Sequence, residues 1–167
     1  MYSKKGQSLM ELVIVVAVVV TVVGALVFAT IASLRNAQFA KNQAQATKLA
    51  QEGLEKIRSL RNRDEANKVD YTRGDGTHTS KFSDLWSISF TCGAGANCYF
   101  YFNSSGTLVG GTSVNFELPT AVPPNFKRQF QIEDNDGGTQ KKVTAKVLWT
   151  DFAGEHESKL TTILRKI

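Results

Sequence analysis

The sequence predicts an α+β protein in which one long N-terminal helix is followed by an antiparallel β-sheet head. Three observations indicate this class. An apolar run without charges begins the chain, a stretch with helical spacing of apolar residues follows it, and beyond about residue 80 the hydrophobic period becomes two. Strands joined by hairpins after a single helix are typical of a sheet that packs on that helix.

The apolar run extends from Leu12 to Ala32, 21 residues without a charge. At about 1.5 Å per residue it spans roughly 30 Å, the thickness of a hydrocarbon core. It is longer than the roughly 7–15 residues of an ordinary signal-peptide core. A lone span in lipid must satisfy its own backbone, so we expect residues 7–34 to form a transmembrane helix.

The next stretch, residues 35–62, is predicted as the amphipathic half of the same helix. No glycine occurs between Gly24 and Gly53, and no proline occurs before Pro119. We therefore expect one helix from about Ser8 to Arg61, roughly 80 Å long at the standard rise. Its apolar residues recur at helical spacing and should pack on the head: Ala46, Leu49, Ala50, Leu54, Ile57 and Leu60.

Residues 63–167 are predicted as a β-rich globular head, and a polar loop, residues 62–80, connects the helix to its strands. "LWSISFT" and "CYFYFN" are interpreted as strands that flank a glycine-rich cysteine loop, and "TLVGGTSVNFELP" as two short strands around its glycine pair. "FKRQFQIE" and "KKVTAKVLWTD" alternate apolar with polar residues on either side of the turn "DNDGGTQ". "ESKLTTILRKI" closes the sheet.

The net charge of +5 is concentrated on the stem. Between Arg35 and Lys68 there are eight basic and four acidic residues, whereas from Val69 onward ten of each sign cancel. A basic stem is compatible with anionic lipid headgroups or nucleic acid. The favoured interpretation is a solvated helix face, with nucleic acid kept as an alternative partner.

The two cysteines, Cys92 and Cys98, have five residues between them. A zinc site would need more ligands at closer spacing, and only His78 and His156 are on offer. No CxxC redox motif is present. The spacing favours a local disulfide, which implies an oxidising compartment and contributes about 2 kcal/mol. A reduced, unpaired couple is the alternative.

No motif in the sequence indicates an enzyme, since GxSxG, P-loop and HExxH patterns are all absent. We expect no catalytic residue, no metal ligand and no cofactor. His78 and His156 are interpreted as solvated loop residues. An extracytoplasmic hydrolase is disfavoured because no nucleophile and base pair is evident.

Three short motifs have a common and a functional interpretation. "RGD" at residues 73–75 is either a chance tripeptide or a receptor-adhesion signal, and the former is favoured. "EDNDGG" at residues 133–138 is interpreted as hairpin residues in preference to a calcium loop, because a closing glutamate is lacking. The aromatic run at residues 99–102 could stack bases, but alternate side chains of a strand normally belong to the core.

Glu11 is the one acid beside the apolar run, where a carboxylate costs free energy and normally has a partner. Lys4 and Lys5 lie upstream, separated from it by Gly6. A cut after Gly6 would place a new amino group on Gln7, which shares a helix face with Glu11 at i, i+4. The carboxylate could then neutralise that amine, or the same amine of a neighbouring subunit.

The stretch "KKGQSLMELVIVVAVVV" resembles the class III leader of type IV prepilins and pseudopilins: basic residues, a glycine, a glutamate four residues after the new terminus, and an apolar helix. The resemblance implies that residues 1–6 are a leader, cut between Gly6 and Gln7 by prepilin peptidase, and that Gln7 is N-methylated. It implies that Glu11 guides filament assembly through other pilin subunits, an assembly platform protein and an ATPase. The chain is then a pilus or type II secretion subunit, first anchored once in the cytoplasmic membrane with its head extracytoplasmic, later at the cell surface.

The chain departs from the family pattern in three places. Gln7 stands where Phe or Met is usual, the apolar helix has no proline, and the cysteines lie in mid-domain. The stretch "LAQEGLEKIRSLRN" and the C-terminal strands resemble minor pilins of the V type and pseudopilins of the I type more than major pilins. The alternative function is a membrane-anchored or secreted β-rich binding domain outside any filament, which would keep Met1 or be cut near Ala29 or Ala32.

Overall fold

The computed structural model describes residues 9–72, 78–90, 92, 98–111, 115–117 and 126–166. The chain divides into two compact units, Met1–Lys41 and Asn42–Ile167. The predicted α+β class is confirmed: one long helix, α1 (Leu9–Arg63), is followed by a seven-stranded, mostly antiparallel sheet. The predicted helix bounds, Ser8 and Arg61, lie within two residues of those observed.

The sheet belongs to the second unit, and its strands in chain order are β1 (Val69–Thr72), β2 (His78–Thr79), β3 (Tyr99–Phe102), β4 (Leu108–Gly111), β5 (Lys127–Asn135), β6 (Gln140–Asp151) and β7 (Gly154–Arg165). Their spatial order is β2-β1-β4-β3-β5-β6-β7. The β1–β4 pair is parallel, and the other neighbours are antiparallel. A 3-10 helix, Ser83–Ser87, lies between β2 and β3, and a second, Asp136–Gly138, turns β5 into β6.

The last three strands form the regular part of the sheet, as their alternating pattern predicts. β6 and β7 pair in one uninterrupted register from Gln140↔Arg165 to Asp151↔Gly154. Alternate β6 side chains, from Lys141 to Trp149, are buried, because a strand with one covered face buries every second residue. The register is fixed by this burial, since a slip of one residue would expose the apolar set.

The core of the head lies between α1 and one face of the sheet. Ala46, Ala50, Leu54 and Ile57, four of the six helix residues predicted to pack there, are buried with the sheet interior, and Leu49 and Leu60 are partly buried against it. Larger side chains fill the sheet side of this core: Phe90, Phe100, Phe102, Phe130, Ile132, Val143, Val147 and Trp149. Small helix residues facing large rings let the helix approach the sheet closely.

α1 ends through a left-handed residue. Asp64 has φ +46°, and its backbone N–H donates to the carbonyl oxygen of Leu60 at 2.9 Å. This is the single-bond αL cap of a helix C-terminus, at which aspartate is tolerated better than most residues. The Asp64 carboxylate also accepts the backbone N–H of Ser83 at 2.8 Å, so it joins the helix end to the following 3-10 helix.

Three strand predictions for the first half of the head were wrong. "LWSISFT" is not a strand: its first residues belong to the 3-10 helix Ser83–Ser87. Gly110 and Gly111 lie inside β4, where a Cβ on Gly110 would come within 2.3 Å of the Tyr71 ring. The segment predicted as a polar loop holds β1 and β2. The second strand predicted in residues 107–119 falls mostly outside the described residues, although Glu117 forms an isolated bridge with Arg128.

Candidate functional site

The first unit presents the candidate site, the start of α1. Glu11 lies in the first turn of the helix with an exposed side chain. A carboxylate at this position is favoured by the partial positive charge of the helix N-terminus. Lys4, Lys5, Gly6 and Gln7, the residues of the predicted leader and cleavage point, lie outside the described residues.

The apolar half of α1 presents hydrophobic side chains on every side. Its large side chains are more than half exposed from Leu9 to Phe28, including Val15, Val20 and Leu26. Residues 9–41 have no buried member. An apolar surface of this size in a water-soluble chain would be an association or membrane surface.

The hydroxyl groups of the two threonines within this half are satisfied by the helix itself. Thr21 Oγ1 donates to the carbonyl oxygen of Ala17 at 2.8 Å, and Thr30 Oγ1 donates to that of Val27 at 2.8 Å. Such internal bonds allow threonine to face hydrocarbon without an unpaired polar group. By length and composition, α1 is one helix that could cross a membrane.

Gly24 gives the apolar half its smallest surface position. A Cβ built there would have no atom within 4 Å, apart from the helix's own backbone. A second helix could therefore approach closely at this point, as small residues permit in membrane helix pairs.

The second unit contains the predicted disulfide, since Cys92 and Cys98 are bonded with their Cα atoms 5.5 Å apart. Phe90, two residues before the bond, and Cys98 both contact β5. The carbonyl oxygens of Phe90 and Cys98 accept the backbone N–H groups of Asp134 and Ile132 at 3.0 and 2.9 Å. The disulfide therefore joins two points of the chain that are each held to the same strand.

The structure places both histidines on strands, so their interpretation as loop residues was wrong, although His78 is solvated as expected, with 57% of its side chain exposed. His78 of β2 lies 3.0 Å from Asp70 through Nε2 and Oδ1. His156 of β7 stacks on Trp149 with ring centroids 5.4 Å apart, and its Nε2 lies 2.9 Å from the Asp151 carboxylate. Each histidine pairs with an acid across a hairpin, a relationship that spacing alone did not reveal.

The other candidate motifs have structural roles where the structure describes them. Asp136–Gly138 form the predicted turn, while residues 133–135 end β5, where Glu133 and Asp134 make ion pairs with Lys142 and Lys141 of β6. Of the aromatic run, Phe100 and Phe102 are buried in the core. Among the described residues, no three His, Cys, Asp or Glu side chains are grouped as a metal site. The RGD tripeptide lies outside the described residues.

The basic stem is partly neutralised within the helix. Lys48 lies 4.0 Å from Glu52, and Arg58 pairs with Glu55 and donates to Thr162 Oγ1 at 2.8 Å. Lys56 lies over the Phe102 ring, 3.7 Å from its centroid, and burial lowers the pKa of its amine more than the nearby Glu117 charge raises it. Lys56 and Arg58 therefore contact the sheet, whereas the Lys48–Glu52 pair lies on the solvent-exposed part of the helix.

No protein-family model matches the chain, and neither a curated protein nor a solved structure matches it.

Proposed function

We propose that the chain is a structural subunit, of the minor type, of a type IV pilus or a related secretion pseudopilus. The observation that carries the proposal is Glu11 at the start of a helix whose next 21 residues, Leu12–Ala32, have no charge. A simple membrane anchor has no use for a carboxylate in that position, because the charge makes insertion costly. A filament subunit uses it to recognise a terminal amine.

Processing precedes assembly in this proposal. Prepilin peptidase cuts between Gly6 and Gln7 and methylates the new amino group of Gln7, and Lys4 and Lys5 mark the cytoplasmic side of the leader. The helix then waits in the membrane with the head outside, where the disulfide can persist. The platform protein and its ATPase extract the subunit into the filament.

Assembly exchanges lipid for neighbouring helices around the apolar half of α1. The Glu11 carboxylate pairs with the amine on Gln7 of a neighbouring subunit, and this attraction is stronger in a water-poor filament core than in water. Repeating the same heterologous contact gives an open helical filament. The head does no chemistry in this scheme, so we propose no enzymatic activity, no cofactor and no metal.

The first experiment is mass spectrometry of the N-terminal peptide from native membranes. We expect a chain that starts at Gln7, with or without one added methyl group. A chain that starts at Met1, or just after Ala29 or Ala32, would contradict the proposal and support the alternative, an anchored or secreted β-rich binding domain.

The second experiment separates processing from assembly. We expect Glu11→Ala and Glu11→Gln to be cleaved normally but to be lost from sheared filaments, because each lacks the charge that docks the subunit. The matched control is Glu52→Ala, which removes an exposed glutamate from the stem of the same helix. Incorporation of both Glu11 variants at the level of the control would remove the docking role.

A further inference from the structure

A polar groove crosses the head beside Trp86. It consists of two depressions of about 190 and 580 Å³, and both are lined by Trp86 and Lys166, so they meet at these side chains. The smaller is also lined by Arg61, Asn62 and Asp64, and the larger by Asp134. We call this feature the Trp86 groove. It lies entirely within the second unit.

The indole of Trp86 is held in place but not covered. Its Nε1 donates to the carbonyl oxygen of Thr139 at 3.4 Å, and its ring meets Phe82 edge to face at a centroid distance of 5.7 Å. The side chain is only partly buried, unlike that of Trp149, which is 1% exposed. A fixed, partly exposed aromatic face is a stacking surface for a ligand with an apolar face and a polar rim.

Two cationic groups of the groove, Arg61 and Lys166, belong to no ion pair among the described residues. The guanidinium of Arg61 donates to the amide oxygen of Asn62 at 2.9 Å, and in the described part of the chain neither it nor the Lys166 amine is in an ion pair. Lys166 is exposed and lines both depressions. These cations are available to a ligand carboxylate, phosphate or sulfate.

The groove also offers acceptors that stay ionised. Burial raises the pKa of Asp64, but the backbone N–H of Ser83 and other donors lower it further, so the net shift is downward. The pKa of Asp134 is likewise lowered, since hydrogen bonds from Lys141 and Ser89 outweigh its burial. The C-terminal end of α1 adds a partial negative charge at the smaller depression.

This combination selects among ligand classes. A polyanion such as single-stranded DNA would gain from the indole and the cations but would be repelled by two carboxylates and a helix C-terminus. A hydroxyl-rich ligand uses both kinds of group, because each hydroxyl donates as well as accepts. The two unused cations add a preference for one acidic substituent.

We propose that the Trp86 groove binds an acidic saccharide, with one sugar ring on the face of Trp86 and its carboxylate or sulfate at Lys166 and Arg61. The ring hydroxyls donate to the Asp64 and Asp134 carboxylates. The proposal goes beyond the filament role and does not depend on it, since the groove is complete within one head.

The test is calorimetric titration of the full chain in detergent micelles with three saccharides that each carry a single acidic group: 3′-sialyllactose, glucuronosyl-glucose and lactose 3′-sulfate. We expect at least one of these to bind saturably and to change the fluorescence emission of the partly exposed Trp86. The neutral tetrasaccharide maltotetraose should bind at least about tenfold more weakly, the factor expected for losing one charge-assisted contact. The affinity should also fall with added salt.

The variants test the assigned residues. Lys166→Gln should weaken binding about tenfold, and Trp86→Leu should abolish it. The matched control Lys127→Gln removes an exposed cation about 23 Å along β5 from Asp134, and should bind as the parent does. Because Trp86→Leu also loses its contact with Phe82, the surface variant Lys166→Gln keeps the test valid if the former fails to fold.

Three results would overturn the proposal. One is the absence of binding by all three acidic probes at millimolar concentration. Another is equal binding by the Lys166→Gln and Lys127→Gln variants. The third is tighter binding of a twelve-nucleotide oligothymidylate than of any saccharide, which would assign the groove to nucleic acid.

Discussion

Gly53 of α1 lies directly against the ring of Phe130 in β5. A Cβ built on Gly53 would come within 2.7 Å of two ring carbons, closer than such atoms approach in real proteins. Both residues are buried, and the Phe130 ring packs edge to face with Phe102 at a centroid distance of 5.4 Å. The helix can lie this close to the sheet because position 53 has no side chain.

We expect Gly53→Ala to destabilise the head by about 1–3 kcal/mol, the usual cost of overpacking a filled core, despite the higher helix propensity of alanine. The measurement is urea unfolding of the full chain in micelles, followed by tryptophan emission. Gly24→Ala is the matched control, because a Cβ there has no atom within 4 Å beyond the helix's own backbone. Equal midpoints for the two variants would show that the contact is not tight in solution.

The second half of the head could be predicted from sequence because each strand has one covered face. β6 and β7 alternate between more and less exposed residues over 12 residues each, which is long enough for the period to be unambiguous. In β5 only the apolar residues Phe130 and Ile132 keep the period, since Arg128 and Gln129 are buried as well. β1 and β2 were missed because they have four and two residues and bury few apolar groups. In "LWSISF", the three-residue step from Leu85 to Ile88 is that of a 3-10 turn.

Long-range polar partners could not be predicted from the sequence. Arg128 lies in the buried phase of β5, and its guanidinium donates to the backbone carbonyl of Leu49, 79 positions earlier in the chain. Lys141 occupies a buried position of β6 and donates to the carbonyl oxygen of Ile88 at 2.6 Å. A local sequence pattern predicts any lysine or arginine as solvent-exposed, so a buried cation is missed. Glu11 could be singled out from the sequence because it lies directly beside the apolar run.

The Arg128–Glu117 pair should be costly to break. The guanidinium meets both carboxylate oxygens at 2.8 and 2.9 Å, and the two side chains are 7% and 16% exposed. We expect Arg128→Met to lower the free energy of unfolding by about 3–5 kcal/mol, because it leaves the Glu117 charge buried without its partner. Urea unfolding of the full chain measures the loss.

Two variants control this prediction. The double variant Arg128→Met with Glu117→Gln should recover part of the loss, because the uncompensated charge is gone. Lys48→Met, which breaks an exposed ion pair on α1, should cost less than about 1 kcal/mol. A loss of similar size for Lys48→Met and Arg128→Met would contradict the assignment of the energy to burial.

Asp134 should make the head sensitive to acid. Although burial raises its pKa, hydrogen bonds from Lys141 and Ser89, together with the Lys141 charge, lower that pKa below the ordinary 3.8. A carboxyl whose folded-state pKa is depressed stabilises the fold above its unfolded-state pKa, and the contribution is lost as pH falls through the folded-state value. We therefore expect unfolding free energy to fall below about pH 4.

The variant Asp134→Asn tests this source of acid sensitivity. It should be less stable than the parent at pH 7, because Lys141 loses its charged partner, and its stability should depend less on pH below 4. Urea midpoints at pH 7, 5, 4 and 3 give the comparison. The control residue is Glu157. Its pKa is likewise lowered by hydrogen bonds from Lys159 and Lys146, but its side chain is more exposed to solvent than that of Asp134. A parent and an Asp134→Asn variant with parallel pH profiles would assign the acid sensitivity to other carboxylates.

The disulfide should stabilise the head through the segment it closes. By the loop-closure argument, a ring of this length contributes about 2 kcal/mol by restricting the unfolded chain. Because Phe90 and Cys98 both bond to β5 through their carbonyl oxygens, reduction should first loosen the β5 contacts that Asp134 and Ile132 make there. We expect dithiothreitol to lower the urea midpoint and to raise amide hydrogen exchange at Ile132 and Asp134 before it affects β6 and β7.

The double variant Cys92→Ala with Cys98→Ala is the control for this prediction, and its urea midpoint should be the same with and without reductant. Uniform exchange across β5, β6 and β7 after reduction would instead show that the head opens as one cooperative unit.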